Sequence, residues 1–158
     1  MDRIDRKILN LLQQDCTLSV SEIAERVNLS TTPCWKRIKQ LETQGVIQAR
    51  VALLDAEQLN LGLSVFVHLK TQRHDAAWLQ HFSETVIAFE QVVECYRMSG
   101  EWDYLLRLVV KDIQAFDQFY KTLINEVGGL SNVTSSFAME QVKYTTALPL
   151  AANESLLR

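Results

Sequence analysis

The stretch STTPCWKRIKQLETQGVI, residues 30–47, decides how the N-terminal part of the chain folds. Its apolar residues recur at helical spacing, and they are Cys34, Ile38 and Leu41. Ser30 is placed to cap the start of this helix, and Gly45 stands where helices often end in a left-handed residue. Pro33 fits the first turn, because the first N–H groups of a helix have no intrahelical acceptor. The stretch therefore predicts one helix with a single apolar stripe.

The opposite face of this helix is polar and basic. We predict that it contacts DNA through Ser30, Thr31, Thr32, Pro33, Lys36, Arg37, Lys39 and Gln40. In a helix-turn-helix, the N-terminal part of the second helix reaches base edges in the major groove, where hydroxyls and amides can hydrogen-bond. Cations one turn later can meet phosphates. A helix that merely exposes its charges to water is the alternative, and Trp35 fits either a DNA contact or packing against a wing.

Two shorter helices precede this one. Apolar residues at helical spacing follow Asp2 in the first, and in the second SVSEIAERV offers Ser19 and Glu22 as a capping box. The β-rich run VIQARVALL, residues 46–54, then indicates a small wing. Residues 1–60 are therefore predicted to form a winged helix-turn-helix DNA-binding domain with a linker strand.

The charge distribution supports a division into two unlike halves. Residues 1–50 hold eight basic and six acidic residues, whereas residues 51–158 hold eight and thirteen. A basic module joined to an acidic one is typical of a nucleic-acid-binding domain attached to another domain. The charged start MDRIDRK lacks the apolar core of a secretion signal, and no apolar run approaches a membrane span, so we expect a cytoplasmic protein without a membrane partner.

A different periodicity begins after DAEQLNLG, residues 55–62. Alternating and helical segments follow in the order β-α-β-β-α-β, with Asp112 placed to cap the second helix and the segment SGEW as a hairpin turn. This order predicts a ferredoxin-like domain in residues 61–158, and hence an α+β chain. One face of its sheet needs a cover. Because that face is expected to carry Phe66, Tyr96 and Leu105, we predict dimerisation.

Four motifs in this order resemble the Lrp/AsnC family of bacterial transcription regulators. They are DRIDRKIL near the start, LSTTPCWKRIKQLETQGVI, ALLD with LGL at the joint, and SGEWDYLL in the hairpin. The resemblance covers nearly the whole chain. It implies a homodimer that assembles into octamers or similar rings, bound to double-stranded promoter DNA and modulated by an amino acid effector that the second domain senses.

The resemblance also implies where the effector binds. By position, the family's site falls on Gly100, Asp103, Thr134, Ser135 and Ser136. An amino acid needs an anion for its ammonium and N–H or hydroxyl donors for its carboxylate, which these residues can supply. The alternative is a purely structural hairpin, in which Gly100 provides a positive φ and Asp103 accepts from backbone N–H groups.

Other chemistry has little support in the sequence. Three cysteines without C-x-x-C spacing and three scattered histidines predict no metal site, and the absence of G-x-S-x-G, phosphate-loop and G-x-G-x-x-G motifs predicts no cofactor and no catalytic residues. Two rival functions remain open. One is an architectural DNA-binding protein without an effector, and the other is a small enzyme on a ferredoxin-like scaffold.

Overall fold

The computed structural model describes residues 1–150, and the chain divides into two compact units. The first unit contains Met1–Leu53 and the C-terminal segment that begins at Lys143, and the second contains Leu54–Val142. The sequence assigned all of residues 61–158 to the second domain. The segment from Lys143 to Leu150 instead lies with the first unit, and residues 151–158 are outside the described part.

Three helices build the first unit: α1 (Arg3–Gln14), α2 (Val20–Arg26) and α3 (Thr31–Thr43). Capping boxes start the first two helices. The Asp2 carboxylate accepts from the N–H groups of Ile4 and Asp5, and the Asp5 carboxylate accepts from the Asp2 N–H at 2.8 Å. Ser19 and Glu22 form the same reciprocal pair at the start of α2. These reciprocal bonds satisfy N–H groups that have no intrahelical acceptor, which explains why the helices begin where they do.

The two ends of α3 differ. Ser30 occupies the N-cap position with an extended backbone, but its side chain makes no cap hydrogen bond. Pro33 sits at the third helical position and has no N–H, so it removes one of the two donors that a capping hydroxyl commonly accepts from. At the other end Gly45 has φ +71°, and its N–H and that of Val46 donate to Glu42 and Leu41 carbonyls at 3.0 Å. These two hydrogen bonds form a Schellman motif, and the left-handed C-terminal cap at Gly45 that the sequence predicts is present.

A small apolar core holds the three helices together. Its buried residues are Ile8, Leu9, Leu12, Ile23, Ala24, Val27, Cys34, Ile38 and Leu41. The C-terminal segment returns to this unit. The Gln13 side chain donates to the Leu148 carbonyl at 3.0 Å and accepts from the Leu148 N–H at 2.9 Å, and Leu150 packs against the core. These two hydrogen bonds explain why the segment lies with the helices.

No wing forms between Gly45 and Leu63, a stretch that lies entirely within the described residues. Val51, Leu53 and Leu54 are each more than 60% exposed. A strand needs a hydrogen-bonding partner, and the single chain offers none beside this run. Residues 46–54 therefore form no strand in the single chain, although their composition favours one.

The second unit is a four-stranded antiparallel sheet with two helices. Its elements are β1 (Leu63–Thr71), α4 (Ala76–Ala88), β2 (Val92–Arg97), β3 (Tyr104–Val110), α5 (Ile113–Glu126) and β4 (Leu130–Phe137). The strand order is β2-β3-β1-β4, so β3 lies between the two strands of the first β-α-β unit. This is the ferredoxin-like arrangement that the order of segments predicts, and that prediction is confirmed.

The helices α4 and α5 cover one face of the sheet and leave the other face open. Buried residues of the central strands, Val65, Val67, Leu69, Tyr104, Leu106, Leu108 and Val110, share one core with α4 and α5. Alternate residues point to the other face, where Phe66 pairs with Arg107 and His68 pairs with Leu105. No element of residues 54–142 covers this open face, and Tyr96 on β2 is 50% exposed.

The last strand is shorter than its sequence pattern suggests. The alternation runs on to Thr146, but β4 ends at Phe137. Phe137 pairs with Val65, and one further hydrogen bond joins the Ala138 N–H to Ser64. Beyond that point β1 has almost no residues left to pair with. The partner strand, and not the sequence of β4, therefore sets the end.

Candidate functional site

The polar face of α3, which the sequence predicts as the DNA contact, is exposed in the structure. Ser30, Thr31, Thr32, Lys36, Lys39 and Gln40 are exposed, and Pro33 is half-buried. The Ser30 hydroxyl is not used for capping, so it is available to an incoming partner. Three hydroxyl groups therefore stand at the N-terminal end of α3 and two lysines stand one turn later, which is the distribution that base and phosphate contacts need.

Arg37 has a different position from the other predicted DNA contacts. It is half-buried, and its Nη1 donates to Asp2 and to Asp5 at 2.7 Å each. The sequence placed Arg37 on the DNA face. Its guanidinium turns instead toward the start of α1, because the two carboxylates of the Asp2 capping box lie within its reach.

The remaining cations on α3 are not equivalent. Lys39 forms an ion pair with Glu42 at 2.7 Å, and the same carboxylate accepts from Arg50 at 3.1 Å. The two cations lower the pKa of Glu42. Lys36 forms no ion pair within the described part of the chain, so its full charge is available on the exposed face. Trp35 lies beside it and is 49% exposed, which excludes it from the helical core.

Carboxylates of the helical unit predict a pH dependence. The Asp5 N–H and then Arg37 lower the pKa of Asp2, and the Ser19 hydroxyl and N–H lower the pKa of Glu22. A carboxylate whose folded-state pKa is lowered stabilises the fold above its unfolded-state pKa, and this contribution is lost as protons bind. We therefore expect constant stability near neutral pH and a decline below about pH 4.5.

Urea denaturation followed by circular dichroism between about pH 7 and pH 3 measures this decline. The double variant Asp2→Asn, Glu22→Gln should lose stability less steeply over the same interval, because two of the titrating groups are gone. An equally steep decline in the double variant would contradict the assignment.

The β2–β3 hairpin is closed by Asp103 and its neighbours. The Met98 N–H donates to the Asp103 carbonyl at 2.8 Å, and Gly100 adopts φ +125°, a backbone conformation that favours glycine. The Asp103 Oδ2 accepts from the N–H of Thr71 at 2.8 Å. Both structural roles considered for Gly100 and Asp103 are thus present, and they leave the second carboxylate oxygen without a hydrogen bond from the described residues.

Thr71 ties this hairpin to the start of β4. It is 7% exposed, and its hydroxyl lies 3.0 Å from the Gly129 carbonyl and accepts from the Arg73 N–H at 3.0 Å. Nothing local in the sequence marks this threonine, because its hydrogen bonds join segments that meet only in the folded chain. Thr71 therefore fixes where Asp103 sits.

The three predicted β4 residues lie on two faces. Thr134 pairs with His68 and Ser136 pairs with Phe66, so both belong to the open face of the sheet. Ser135 is half-buried and pairs with Val67, a residue of the helix-covered face. Strand geometry alternates successive side chains, so all three cannot reach one ligand on one face.

Aromatic and basic residues lie between the hairpin and β4. The rings of His68 and Trp102 are 5.6 Å apart, and the Lys70 ammonium is 5.0 Å from the Trp102 ring centre. Lys70 also forms an ion pair with Glu101 at 3.5 Å. Sequence reasoning missed these residues as candidate ligand contacts, although the strand alternation that puts His68 and Lys70 on one face was visible.

The single chain encloses none of these candidates. A cavity of about 370 Å³ lies between the end of α5 and the start of β4, and it is lined by residues of the segments 120–133. None of the five predicted effector residues lines it. Among residues 1–150, no helix is long and apolar enough to cross a membrane, and no group of three His, Cys, Asp or Glu side chains is placed to hold a metal ion.

Two family models match the chain, one for each unit. The model described as winged helix-turn-helix DNA-binding matches residues 1–48, and the model described as Lrp/AsnC ligand binding domain matches residues 64–148. The chain belongs to the Lrp/AsnC family. It is a DNA-binding transcriptional regulator with a helix-turn-helix domain and a ligand-binding domain, and the resemblance seen in its four motifs is confirmed.

Relatives with known names agree with this assignment. The DNA-binding transcriptional activator DecR of Escherichia coli is 57% identical over 150 residues, which are 95% of this chain and 99% of the relative. The glutamate uptake regulatory protein of Zymomonas mobilis is 43% identical over 95% of this chain and 91% of its own length.

Solved structures of transcriptional regulators have the same fold. An AsnC family transcriptional regulator from Agrobacterium tumefaciens superimposes with a TM-score of 0.92 at 56% identity, covering 96% of this chain and 99% of that chain. A transcriptional regulator of Neisseria meningitidis in complex with L-Met gives a TM-score of 0.89 at 37% identity, covering 96% and 98%.

Proposed function

We propose that this Lrp/AsnC regulator reads promoter DNA through the exposed face of α3 and adjusts its binding to a free amino acid. The observation that carries the first part is the set of exposed hydroxyl, amide and ammonium groups on one face of a helix whose opposite face is buried. We propose Ser30, Thr31, Thr32, Pro33, Lys36, Lys39 and Gln40 as its DNA contacts. In this division of roles, residues 1–60 bind DNA, and the domain that begins at residue 61 and contains the four-stranded sheet senses the ligand and assembles the oligomer.

Lys36 is the cation expected to contribute most to phosphate binding. Replacing it with Ala should weaken binding to every DNA sequence and reduce the salt slope of the binding constant by about 0.9, the value for one lost phosphate contact. Fluorescence anisotropy with a labelled duplex at several salt concentrations measures the slope. Lys121→Ala is a matched control, because Lys121 is 69% exposed on α5 in the other unit. An unchanged slope in Lys36→Ala would show that Lys36 does not touch phosphate.

The proposed effector site is at the end of the sheet that carries the β2–β3 hairpin. Asp103 offers an oxygen for an ammonium group, Gly100 permits close approach of backbone, and Thr134 and Ser136 offer hydroxyls on the open face. Ser135 is the weakest member of the proposed set, because it lies on the other face. The relative from Neisseria meningitidis, solved with L-Met, supports an amino acid as the ligand class.

We further propose a homodimer that assembles into an octamer or a similar ring. The open face of the sheet supports dimerisation, because Phe66, Leu105 and the exposed Tyr96 lie on it without a covering layer. The candidate effector residues are not enclosed by the single chain, which fits a site completed by a second copy. Sedimentation at micromolar concentration measures the assembly, and a monomer would contradict this part of the proposal.

The proposed setting is the bacterial cytoplasm, where promoter DNA lies, and the proposed action is binding without catalysis. The named relatives are transcriptional regulators, which supports this reading over a small enzyme. An architectural protein without an effector is the remaining rival. It predicts DNA protection that no amino acid alters.

A footprint and a ligand panel test the function together. Two helix-turn-helix units of one dimer should protect half-sites one helical turn apart, about 34–36 Å, or a multiple of it. A panel of amino acids at millimolar concentration should raise the melting temperature when one of them binds the native state. The best ligand should then change the protection by the coupling free energy, typically about 1–3 kcal/mol. No protection at low salt refutes DNA reading, and no response to any amino acid favours the architectural rival.

A further inference from the structure

Arg37 joins α3 to the start of α1 through one guanidinium nitrogen. Its Nη1 donates to Oδ2 of Asp2 and to Oδ1 of Asp5, each at 2.7 Å. The Arg37 side chain is 31% exposed, that of Asp5 is 14% exposed and that of Asp2 is 52% exposed, so the bond to Asp5 is the better shielded of the two. Hydrogen bonds between charged groups are shorter and stronger than neutral ones, and partial shielding from water strengthens them further.

The two carboxylates are themselves held in place. Asp2 accepts from the N–H groups of Ile4 and Asp5 at 2.8 and 2.9 Å, and Asp5 accepts from the Asp2 N–H at 2.8 Å. The capping box of α1 therefore holds both carboxylates in place independently of their hydrogen bonds with Arg37. We call these three side chains, Asp2, Asp5 and Arg37, the carboxylate clamp.

The charge of the clamp argues against a phosphate contact. One guanidinium faces two carboxylates, so the group has a net charge of −1 when all three are ionised, and a phosphate approaching Arg37 would also approach Asp2 and Asp5. Lys36, the next residue on α3, has no such partners within the described residues and is exposed. Arg37 is thus surrounded by negative charge, whereas the charge of its neighbour Lys36 is not neutralised by a nearby carboxylate of the described residues.

The geometry of the clamp has a consequence for DNA reading. Arg37 is the seventh of the 13 residues of α3, and its bonds join the middle of the helix that carries the proposed base contacts to α1. The orientation of α3 matters more for contacts with bases than for contacts with phosphates. A hydrogen bond to a base needs a donor–acceptor distance of about 3 Å and a nearly linear angle, whereas a cation attracts a phosphate over several ångströms and from many directions.

We propose that Arg37 is a positioning residue, which holds α3 at the angle that presents its exposed face to bases and does not itself contact phosphate. This inference rests on the proposed role of α3 in reading DNA. Its loss should therefore reduce discrimination between DNA sequences and leave the number of phosphate contacts unchanged.

The test compares Arg37→Met with Lys36→Met in the full chain. Both substitutions keep an unbranched stem and remove a cation from adjacent positions of one helix. Anisotropy is measured at several salt concentrations with two labelled duplexes, one taken from the wild-type footprint and one with the same bases scrambled. The folded fraction of each variant is checked by circular dichroism.

We expect Arg37→Met to weaken binding to the footprint duplex roughly twofold to tenfold, with little change for the scrambled duplex and an unchanged salt slope. Lys36→Met should weaken binding to both duplexes and lower the slope by about 0.9. A slope that falls in Arg37→Met, or an equal loss on both duplexes, would overturn the proposal. If the wild type prefers neither duplex, the proposed reading of DNA fails, and the inference fails with it.

A second pair of variants keeps the test valid if Arg37→Met folds poorly. Asp5→Asn weakens the clamp from the other side and leaves Arg37 in place. Glu22→Gln alters the matching capping box of α2, which makes no hydrogen bond or ion pair to an arginine of the described residues. Asp5→Asn should reduce sequence discrimination, whereas Glu22→Gln should not. Tighter binding and a steeper salt slope in Asp5→Asn would mean that the carboxylates restrain a phosphate-binding arginine, which overturns the proposal.

Discussion

Replacing Ile38 with Ala is expected to destabilise the helical unit by about 2–5 kcal/mol and to remove most DNA binding. Ile38 is 3% exposed and lies in the core that joins α3 to α1 and α2. Removing three carbons leaves a cavity that the other eight buried residues of this core cannot easily fill. Such a loss is a large share of the stability of a small unit, typically about 5–15 kcal/mol for a whole domain.

Hydrogen exchange measured on peptides separates the two units in this experiment. Peptides from α1, α2 and α3 should exchange faster in Ile38→Ala, and peptides from the sheet should not. Ile87→Ala is the matched control, because Ile87 is 83% exposed on α4 and its removal should change stability by less than about 0.5 kcal/mol. Normal exchange in the helices of Ile38→Ala would contradict the description of this core.

Replacing Asp103 with Ala is expected to abolish the response to the effector. Coupling between sites commonly changes affinity about 5- to 150-fold, and this change should fall below about twofold in the variant. The same substitution removes the acceptor of the Thr71 N–H, and Thr71 is 7% exposed. A buried donor left without its acceptor costs about 1–3 kcal/mol, so stability should fall as well.

Asp103→Asn separates the two effects. Its amide oxygen can still accept from the Thr71 N–H, but it lacks the negative charge that an ammonium group requires. The variant should therefore regain most of the lost stability without regaining the response, as read by thermal unfolding and by anisotropy with and without ligand. Asp112→Asn, at the cap of α5, controls for the same chemical change outside the hairpin. A full response in an assembled Asp103→Asn protein would exclude Asp103 as a ligand contact.

Two surfaces of the single chain are consistent with the proposed dimer and ring. The run VIQARVALL forms no strand although its composition favours one, and Val51, Leu53 and Leu54 remain exposed. The open sheet face likewise exposes Tyr96. The predicted strand of residues 46–54 does not form in the single chain, because β propensity alone supplies no hydrogen-bonding partner, and dimerisation through the open face stays a prediction.

The sequence by itself determined the five helices of the described residues, the four strands of the sheet and their order, although not the missing wing or the end of β4. Helical spacing, capping boxes at Asp2 and Ser19, and the stop at Gly45 are local signals, since each depends on residues a few positions apart. The alternation of β1 and the order of segments likewise predicted the ferredoxin-like sheet, and the four motifs indicated the family. Such signals can be recognised in the sequence because they depend on residues that lie close together along the chain.

Only the tertiary structure decided which polar side chains bond to distant parts of the chain and which remain exposed. Arg37 looks like its neighbour Lys36 in the sequence, yet it bonds to carboxylates 35 and 32 positions away. Asp103 meets the Thr71 N–H across 32 positions, and β1 sets where β4 stops. A side chain's role depends on which charged or polar groups lie within about 3 Å of it, and chain folding alone brings distant residues to that distance.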